Sequence, residues 1–278
     1  MNTQMNTQKA KLLLENGMIF EGKSIGAAGS AFGEIVFNTS MCGYQEILTD
    51  PSYGGQVIVM TYPEIGNYGI NDDDFESDKI CAKGFAVKNL CGEESHYKSV
   101  SSLSEYLIKN NIVALSGIDT RELTKIIREN GDMGCLITTE EVTSAQEELK
   151  NFKIDKDIVL KVSTNEILRF PNTGKRVGVI DLGIKKNIIE YLKKQNCDIT
   201  IYPPTTSAQR LLQDKLDAVL LSNGPATLKT RPQLLKPCAN FWANCRFLGF
   251  ASGIRFYLLF WAQRPTSSNT DTEAAITL

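Results

Sequence analysis

Apolar residues come in short blocks through the first hundred positions, and the blocks are separated by Gly, Asn and Asp. "LLLENGMIFEG" (12–22) is two such blocks around Asn16-Gly17. Asn-Gly is the preferred pair for a type I′ hairpin, because both central residues need positive φ. "EIVFN", "QVIVMTY" and "GFAVKNL" follow with the same turn punctuation, so this region is expected to be mainly β. The spacing then lengthens to that of helices. "LSEYLIKNN" is one, and "DTRELTKIIRENG" a better one. There Asp119 is placed to cap, Glu122 stands three residues on as in a capping box, and Leu123, Ile126 and Ile127 make an apolar stripe. Gly131 falls where a glycine ends a helix. A third helix, "EEVTSAQEELKNF", is polar. Weak periodicity over 155–174, with Pro171-Asn-Thr-Gly174, marks a linker.

From Lys175 the pattern becomes strand, helix, strand, helix, strand: "RVGVIDLG", "KKNIIEYLKKQN" with Ile188, Ile189 and Leu192 on one face, "DITIYP", "SAQRLLQDK" and "DAVLLSNGP". Nearly continuous apolar strands alternating with helices predict a parallel sheet covered on both faces. Binding residues of such sheets sit at the carboxyl ends of the strands, which here carry Asp181-Leu182-Gly183 and Ser222-Asn223-Gly224. After Pro225 this order stops.

Bulk composition excludes more than it selects. A net charge of −2 gives no electrostatic case for nucleic acid or anionic membrane as a partner. The seven cysteines are odd in number and lack metal-type spacing, which suits a reducing, cytoplasmic setting better than a disulfide framework. "MNTQMNTQKAK" is polar and lacks the apolar core of a secretory signal. The apolar stretch 247–261 is too short for a membrane span and contains Arg255.

Three phrases then become specific. "EIVFNTSMCGYQEILTDPSYGGQVIVMTYPEIGNYG", "GIDTRELTKIIRENG" and "VGVIDLGIKKNII…LLSNGP" resemble, in order from about residue 11 to 225, the small, glutamine-hydrolysing chain of carbamoyl-phosphate synthetase. The resemblance implies a β-rich N-terminal domain that contacts a large synthetase chain. It also implies a class I glutamine amidotransferase domain with a Cys-His-Glu triad. Glutamine is the implied substrate, and its ammonia passes to the large chain for carbamoyl phosphate synthesis, which feeds arginine and pyrimidine biosynthesis. No cofactor is expected in this chain, since ATP and Mg belong to the large one. Ser40 matches the family serine that helps bind glutamine, and Gly224 matches the first glycine of the family's glutamine-site loop.

The catalytic part of the resemblance is missing. Amide hydrolysis of this kind needs a thiolate, a histidine base and an orienting carboxylate. The family nucleophile stands in Gly-x-Cys-x-Gly, which occurs nowhere here, and the one histidine is His96, far upstream. Ala226 replaces the second glycine of the NGPG loop, which supplies oxyanion donors in the family. The codons of the tail offer a reason. Gly253-Ile254-Arg255 can be written GGC ATC AGG, and one base earlier this contains CAT CAG, His-Gln. In the same shifted frame 226–228 admit Gly-Asp-Pro, 247–255 admit FGICLGHQ, and 263–278 admit AKTYKLKYGHRGGNHP. A single-base deletion just after the Pro225 codon would account for all three.

The expected architecture is therefore α/β overall. A polar leader covers 1–10, and a β-rich α+β domain 11–154. After the linker, 155–174, the start of a flavodoxin-like parallel amidotransferase domain covers 175–225, and an out-of-frame tail 226–278. Three parallel strands would leave that sheet incomplete, with an uncovered edge. No residue is expected to be catalytic and none to bind metal. Cys42 is expected to be a buried, inert residue, and His96 a solvated loop residue. Cys238 and Cys245 lack elbow glycines. Asp119 and Glu122 are expected to cap a helix, and Asp72-Asp73-Asp74 to form a solvated turn. The competing functional class is a non-catalytic protein that only docks on the large chain.

Overall fold

A computed structural model describes residues 8–141, 148–149, 151–153, 155–225, 246–249, 258–259 and 275–276. Residues 1–7 of the expected leader lie outside the described residues, as do most of the third helix and most of the tail, whereas Lys9 and Ala10 already belong to the first strand. The chain divides into two compact units, Met1–Asp155 and Lys156–Leu278.

In the first unit β1 (Lys9–Leu14) and β2 (Ile19–Ser24) pair antiparallel across the Asn16-Gly17 turn. The turn is not type I′. Gly17 has φ +90°, but Asn16 is not among the residues of positive φ. Gly17 N–H donates to Leu14 O (2.8 Å), and Leu14 N–H to Met18 O (2.9 Å). That is a three-residue loop closed by one left-handed glycine. Asn16 Oδ1 accepts from Met18 N–H at 3.1 Å, so the asparagine serves by its side chain rather than by its φ.

The chain continues through β3 (Ser30–Asn38), α1 (Tyr44–Thr49), a 3-10 turn (Pro51–Tyr53), β4 (Gln56–Met60), β5 (Glu64–Ile65), β6 (Gly84–Ala86) and β7 (Asn89–Leu90). Then come α2 (Leu103–Lys109), β8 (Val113–Ser116), α3 (Thr120–Asn130) and β9 (Gly134–Thr138). Seven strands close a barrel in the order β1-β2-β8-β6-β4-β3-β9. β3, β4, β6 and β8 run parallel, and the remaining pairs are antiparallel.

All five residues of β4 are buried, and strand geometry divides them between two cores. Val57 and Val59 join Leu12, Leu14, Leu115, Cys135 and Ile137 in a cluster that also takes Leu123 and Ile127 of α3. Ile58 and Met60 point the other way, into a cluster with Tyr44, Leu48, Leu103 and Leu107 of α1 and α2. A period of two on a strand covered on both sides gives this outcome. Gly84 is required by closeness, since a Cβ there would stand 2.8 Å from Ile137 Cγ2.

The capping box lies on α2, where Ser102 and Glu105 exchange bonds with each other's backbone. On α3 only the Asp119 half is present, with its carboxylate accepting from Arg121 and Glu122 N–H (3.0 and 2.9 Å). Gly131, φ +76°, ends the helix as its position suggests.

The second unit begins with α4 (Ile158–Val162) and β10 (Leu168–Phe170), both inside the segment expected to be linker. β11 (Arg176–Ile180), α5 (Lys186–Lys194), β12 (Asp198–Tyr202), α6 (Ala208–Gln213) and β13 (Ala218–Leu221) follow the predicted alternation. A further strand, β14 (Arg246–Gly249), pairs parallel with β13. The sheet order is β10-β12-β11-β13-β14, four parallel strands with β10 antiparallel at one edge. The expectation of three parallel strands is thus corrected. β10 was hidden because three residues carry no measurable period, and it forms by pairing with β12. A two-stranded pair, β15 (Leu258–Leu259) with β16 (Ala275–Ile276), stands apart.

Side chains of β11, β12 and β13 alternate between two clusters. Val179, Ile199, Ile201 and Leu220 meet Ile188, Ile189 and Leu192 of α5. Ile180, Tyr202 and Val219 meet Val159 of α4 and Leu211 of α6. This is an open sheet with helices on both faces.

Leu123 is fully buried between α3 and the barrel. Leu123→Ala is expected to destabilise the first unit by about 2–5 kcal/mol, as truncation of a packed leucine does. Urea unfolding followed by far-UV circular dichroism measures it, and a cost below about 1 kcal/mol would contradict this packing.

Candidate functional site

The carboxyl ends of β11 and β13 are tied together by short polar side chains. Asp181, directly after β11, is buried, and both its carboxylate oxygens accept backbone N–H groups. Oδ1 takes Gly183 and Ile184 (2.8 Å each), and Oδ2 takes Thr164 (2.7 Å). Gly183, φ +120°, lets the chain turn sharply there. After β13, buried Ser222 accepts from Leu182 N–H through Oγ (2.8 Å) and donates to Asn223 O (2.7 Å). Asn223 Oδ1 in turn accepts from Lys185 N–H at 3.4 Å.

Gly224 closes this arrangement. A Cβ on it would stand 2.2 Å from Leu182 O and 3.0 Å from Leu182 C, so only glycine fits against that peptide. Gly224 therefore has a packing reason independent of any ligand. Its backbone lies at the carboxyl edge of a parallel sheet, where such folds bind ligands.

Ser40 belongs to the first unit, in the exposed loop between β3 and α1. Its N–H donates to Asn38 Oδ1 (2.8 Å), and Asn38 Nδ2 donates to Tyr53 Oη (2.9 Å). Downstream, Gly43 (φ +83°) and Tyr44 both donate their N–H groups to Tyr68 Oη (2.7 and 2.9 Å). Tyr44 stacks on Tyr68 at 4.1 Å, and its own hydroxyl donates to Gly69 O at 2.7 Å. Burial pushes both phenols well above the ordinary tyrosine range, helped at Tyr44 by Tyr68 and at Tyr68 by Glu46. Neutral phenols in the same packed layer thus anchor the loop that displays Ser40.

Cys42 is exposed, which corrects the expectation of a buried thiol. The loop turns it outward because Gly43 and Tyr44 are the residues drawn in by Tyr68. Among the described residues the buried cysteine is Cys135 in β9, whose thiol burial pushes far up. His96 is exposed in the loop before α2, and its Nδ1 accepts from Lys98 N–H at 3.3 Å. Asp73 pairs with Lys98 (2.6 Å) and Asp74 accepts from Asn71 (2.7 Å). Among the described residues no three His, Cys, Asp or Glu side chains group to hold a metal ion. Cys238 and Cys245 lie outside the described residues, and so does Ala226.

The sequence that continues from β14 carries the glycines of a Gly-x-Cys-x-Gly elbow without its cysteine. Residues 249–253 read Gly-Phe-Ala-Ser-Gly, beginning with the last residue of a parallel strand. The glycine spacing is that of a nucleophile elbow, and its central position is Ala251.

Comparison with known proteins agrees with the two units. Residues 12–137 match the family described as carbamoyl-phosphate synthase small chain, CPSase domain, and residues 178–255 match glutamine amidotransferase class-I. A carbamoyl phosphate synthase small chain from Clostridium acetobutylicum is 43% identical over 269 residues, covering 92% of this chain and 76% of that protein. The chain belongs to the carbamoyl-phosphate synthase small-chain family. A second member, from Clostridium perfringens, is 47% identical over 219 residues, 78% of this chain and 62% of its own length. The pyrimidine-specific small chain of Bacillus subtilis is 40% identical over 253 residues, 90% of this chain and 70% of that one. This chain thus spans between three fifths and about three quarters of these family members. Among solved structures, an aminopeptidase from Aneurinibacillus sp. strain AM-1 superposes with a TM-score of 0.29 at 10% identity, over 76% of this chain and 56% of that one, too low to bear on fold or function. The amidotransferase match includes Asp181 and Ser222–Gly224 and runs to residue 255, past Ala251.

Gly224→Ala forces a methyl group onto a backbone carbonyl, and is expected to destabilise the second unit by about 1–3 kcal/mol or more. Urea unfolding resolves it, and an unchanged midpoint would contradict the close approach. A pH effect belongs to the first unit. Burial, with Cys81 adding, pushes Tyr106 from 10.0 to about 12. A folded-state value above the unfolded one means the stabilisation is complete below about pH 10 and is lost as pH rises through about 12. Unfolding of the first unit is expected to become easier between those values, and less steeply so in Tyr106→Phe. Identical pH profiles for the two proteins would contradict this.

Proposed function

We propose that the intact form of this protein hydrolyses glutamine and hands the ammonia to a large synthetase subunit. That subunit would use ATP and Mg to make carbamoyl phosphate for arginine and pyrimidine synthesis. We propose further that the chain with the present sequence does not hydrolyse glutamine. Family membership supports the first statement. The second is carried by Ala251, which stands where a Gly-x-Cys-x-Gly elbow has its thiolate. A methyl group has no electron pair with which to attack an amide carbon, so the acyl-enzyme step has no nucleophile. Ala226, in place of the second glycine of the NGPG loop, weakens the oxyanion side as well.

The shifted-frame readings at 226–228, 247–255 and 263–278 favour one origin for these departures, a single-base deletion after the Pro225 codon. Gly249-Phe-Ala-Ser-Gly253 and FGICLGHQ then describe the same stretch of DNA. Resequencing across the codons for 222–230 is expected to recover the missing base. A confirmed frame would instead make the altered ending a property of the gene. In either case the chain with this sequence is expected to release no ammonia from glutamine above a buffer blank, and Ala251→Cys alone is not expected to restore it. Turnover by the unaltered chain would overturn the proposed inactivity.

A second reading is favoured by the closed barrel of the first unit, whose strands all lie before residue 139. On this reading the chain docks on the large subunit without supplying ammonia. Co-purification with a clostridial large subunit that makes carbamoyl phosphate only from added ammonium would support it. Failure to associate would exclude it.

A further inference from the structure

We propose that Ser222 is a positioning residue, whose hydroxyl sets the Asn223–Gly224 peptide of the glutamine-site loop by clasping the loop after β11. The inference rests on the reading of Gly224 as part of a glutamine site. It assigns to Ser222 a role that the family resemblance did not supply.

Two observations meet at Leu182, and a third joins Ser222 to the residue after it. Leu182 donates its N–H to Ser222 Oγ at 2.8 Å. Its carbonyl lies against Gly224, where a Cβ would be 2.2 Å from the oxygen. The Ser222 hydroxyl proton goes to Asn223 O at 2.7 Å. A single buried hydroxyl, 2% exposed, thus accepts from one loop and donates to the other. The donated bond fixes the direction of the Asn223 carbonyl, and hence of the Gly224 N–H in the same peptide plane. Backbone N–H groups serve as oxyanion or carboxylate donors only when aimed in advance. Asn223 adds a second tie, because its Oδ1 accepts from Lys185 N–H at 3.4 Å. Asp181 supports the same loop separately, through Gly183 and Ile184.

This separation provides the test. Amide hydrogen exchange of the full chain, resolved by residue, is compared for the parent, Ser222→Ala and Ser222→Thr. Loss of the clasp is expected to speed exchange at Leu182 and at Lys185 by about tenfold, the scale of one buried hydrogen bond. Gly183 and Ile184, held by Asp181, and the interior amides of β11 and β12 are expected to stay as in the parent. Ser222→Thr keeps the hydroxyl and is expected to retain protection at both positions. A purely local role would release Leu182 and leave Lys185 unchanged, which overturns the proposal. So would equal loss in both variants, or acceleration spread through β11 and β12. Millimolar glutamine added to the parent judges the functional reading separately. Without added protection at this loop the glutamine site is refuted, while the clasp stands or falls on the Leu182 and Lys185 amides.

Discussion

The first unit depends on one pairing, that of β1 with β9. Lys11 to Leu14 align with Thr138 to Cys135, joining the two ends of a segment of about 130 residues. β9 also pairs with β3, so it is the strand through which the sheet becomes a barrel. Leu12, Leu14, Cys135 and Ile137 are buried in the cluster that also takes Leu123 and Ile127 of α3. Without it, β1 and β9 would each present an unpaired edge, and the residues they bring to that cluster would lose cover. The loop bearing Ser40 depends on the same frame, because it begins where β3 ends.

The second unit is organised by different means. Its parallel strands are held by apolar clusters on both faces, yet the polar groups at their carboxyl ends decide how the loops leave the sheet. Asp181 receives three backbone N–H groups and Ser222 bridges two loops. Both side chains are buried, and each bond carries more weight there than it would in water. Glycine at 224 completes the arrangement by letting one loop rest on the backbone of the other.

What was legible in the sequence follows from the range of the forces involved. α3 could be read in advance, since Asp119, the stripe of Leu123, Ile126 and Ile127, and Gly131 act within a few residues of one another. β11, β12 and β13 were legible as unbroken apolar runs. The turn at Asn16-Gly17 was placed correctly, but its type was set by the register of β1 against β2, which the dipeptide does not encode. Cys42 was expected inside because cysteine is commonly buried, whereas Tyr68, from 25 residues away, selects its neighbours instead. β10 and β14 were missed or set aside because each exists by pairing with a strand distant in sequence. Ser40 became a candidate through resemblance alone, whereas Gly224 was also marked by its place at the carboxyl end of an apolar strand. The structure adds a steric reason for Gly224 that no periodicity could have shown, and β14 brings Ala251 to notice.

Because the strand that closes the barrel ends at Thr138, every strand of the barrel has been synthesised before the second sheet begins at Leu168. Domains generally fold as units during synthesis, the N-terminal one first. A lesion anywhere beyond that point therefore reaches a chain whose leading half is already committed to its structure. Damage to the second unit thus leaves the sequence of the barrel whole, and quality control in the cell would meet that barrel with an altered segment behind it.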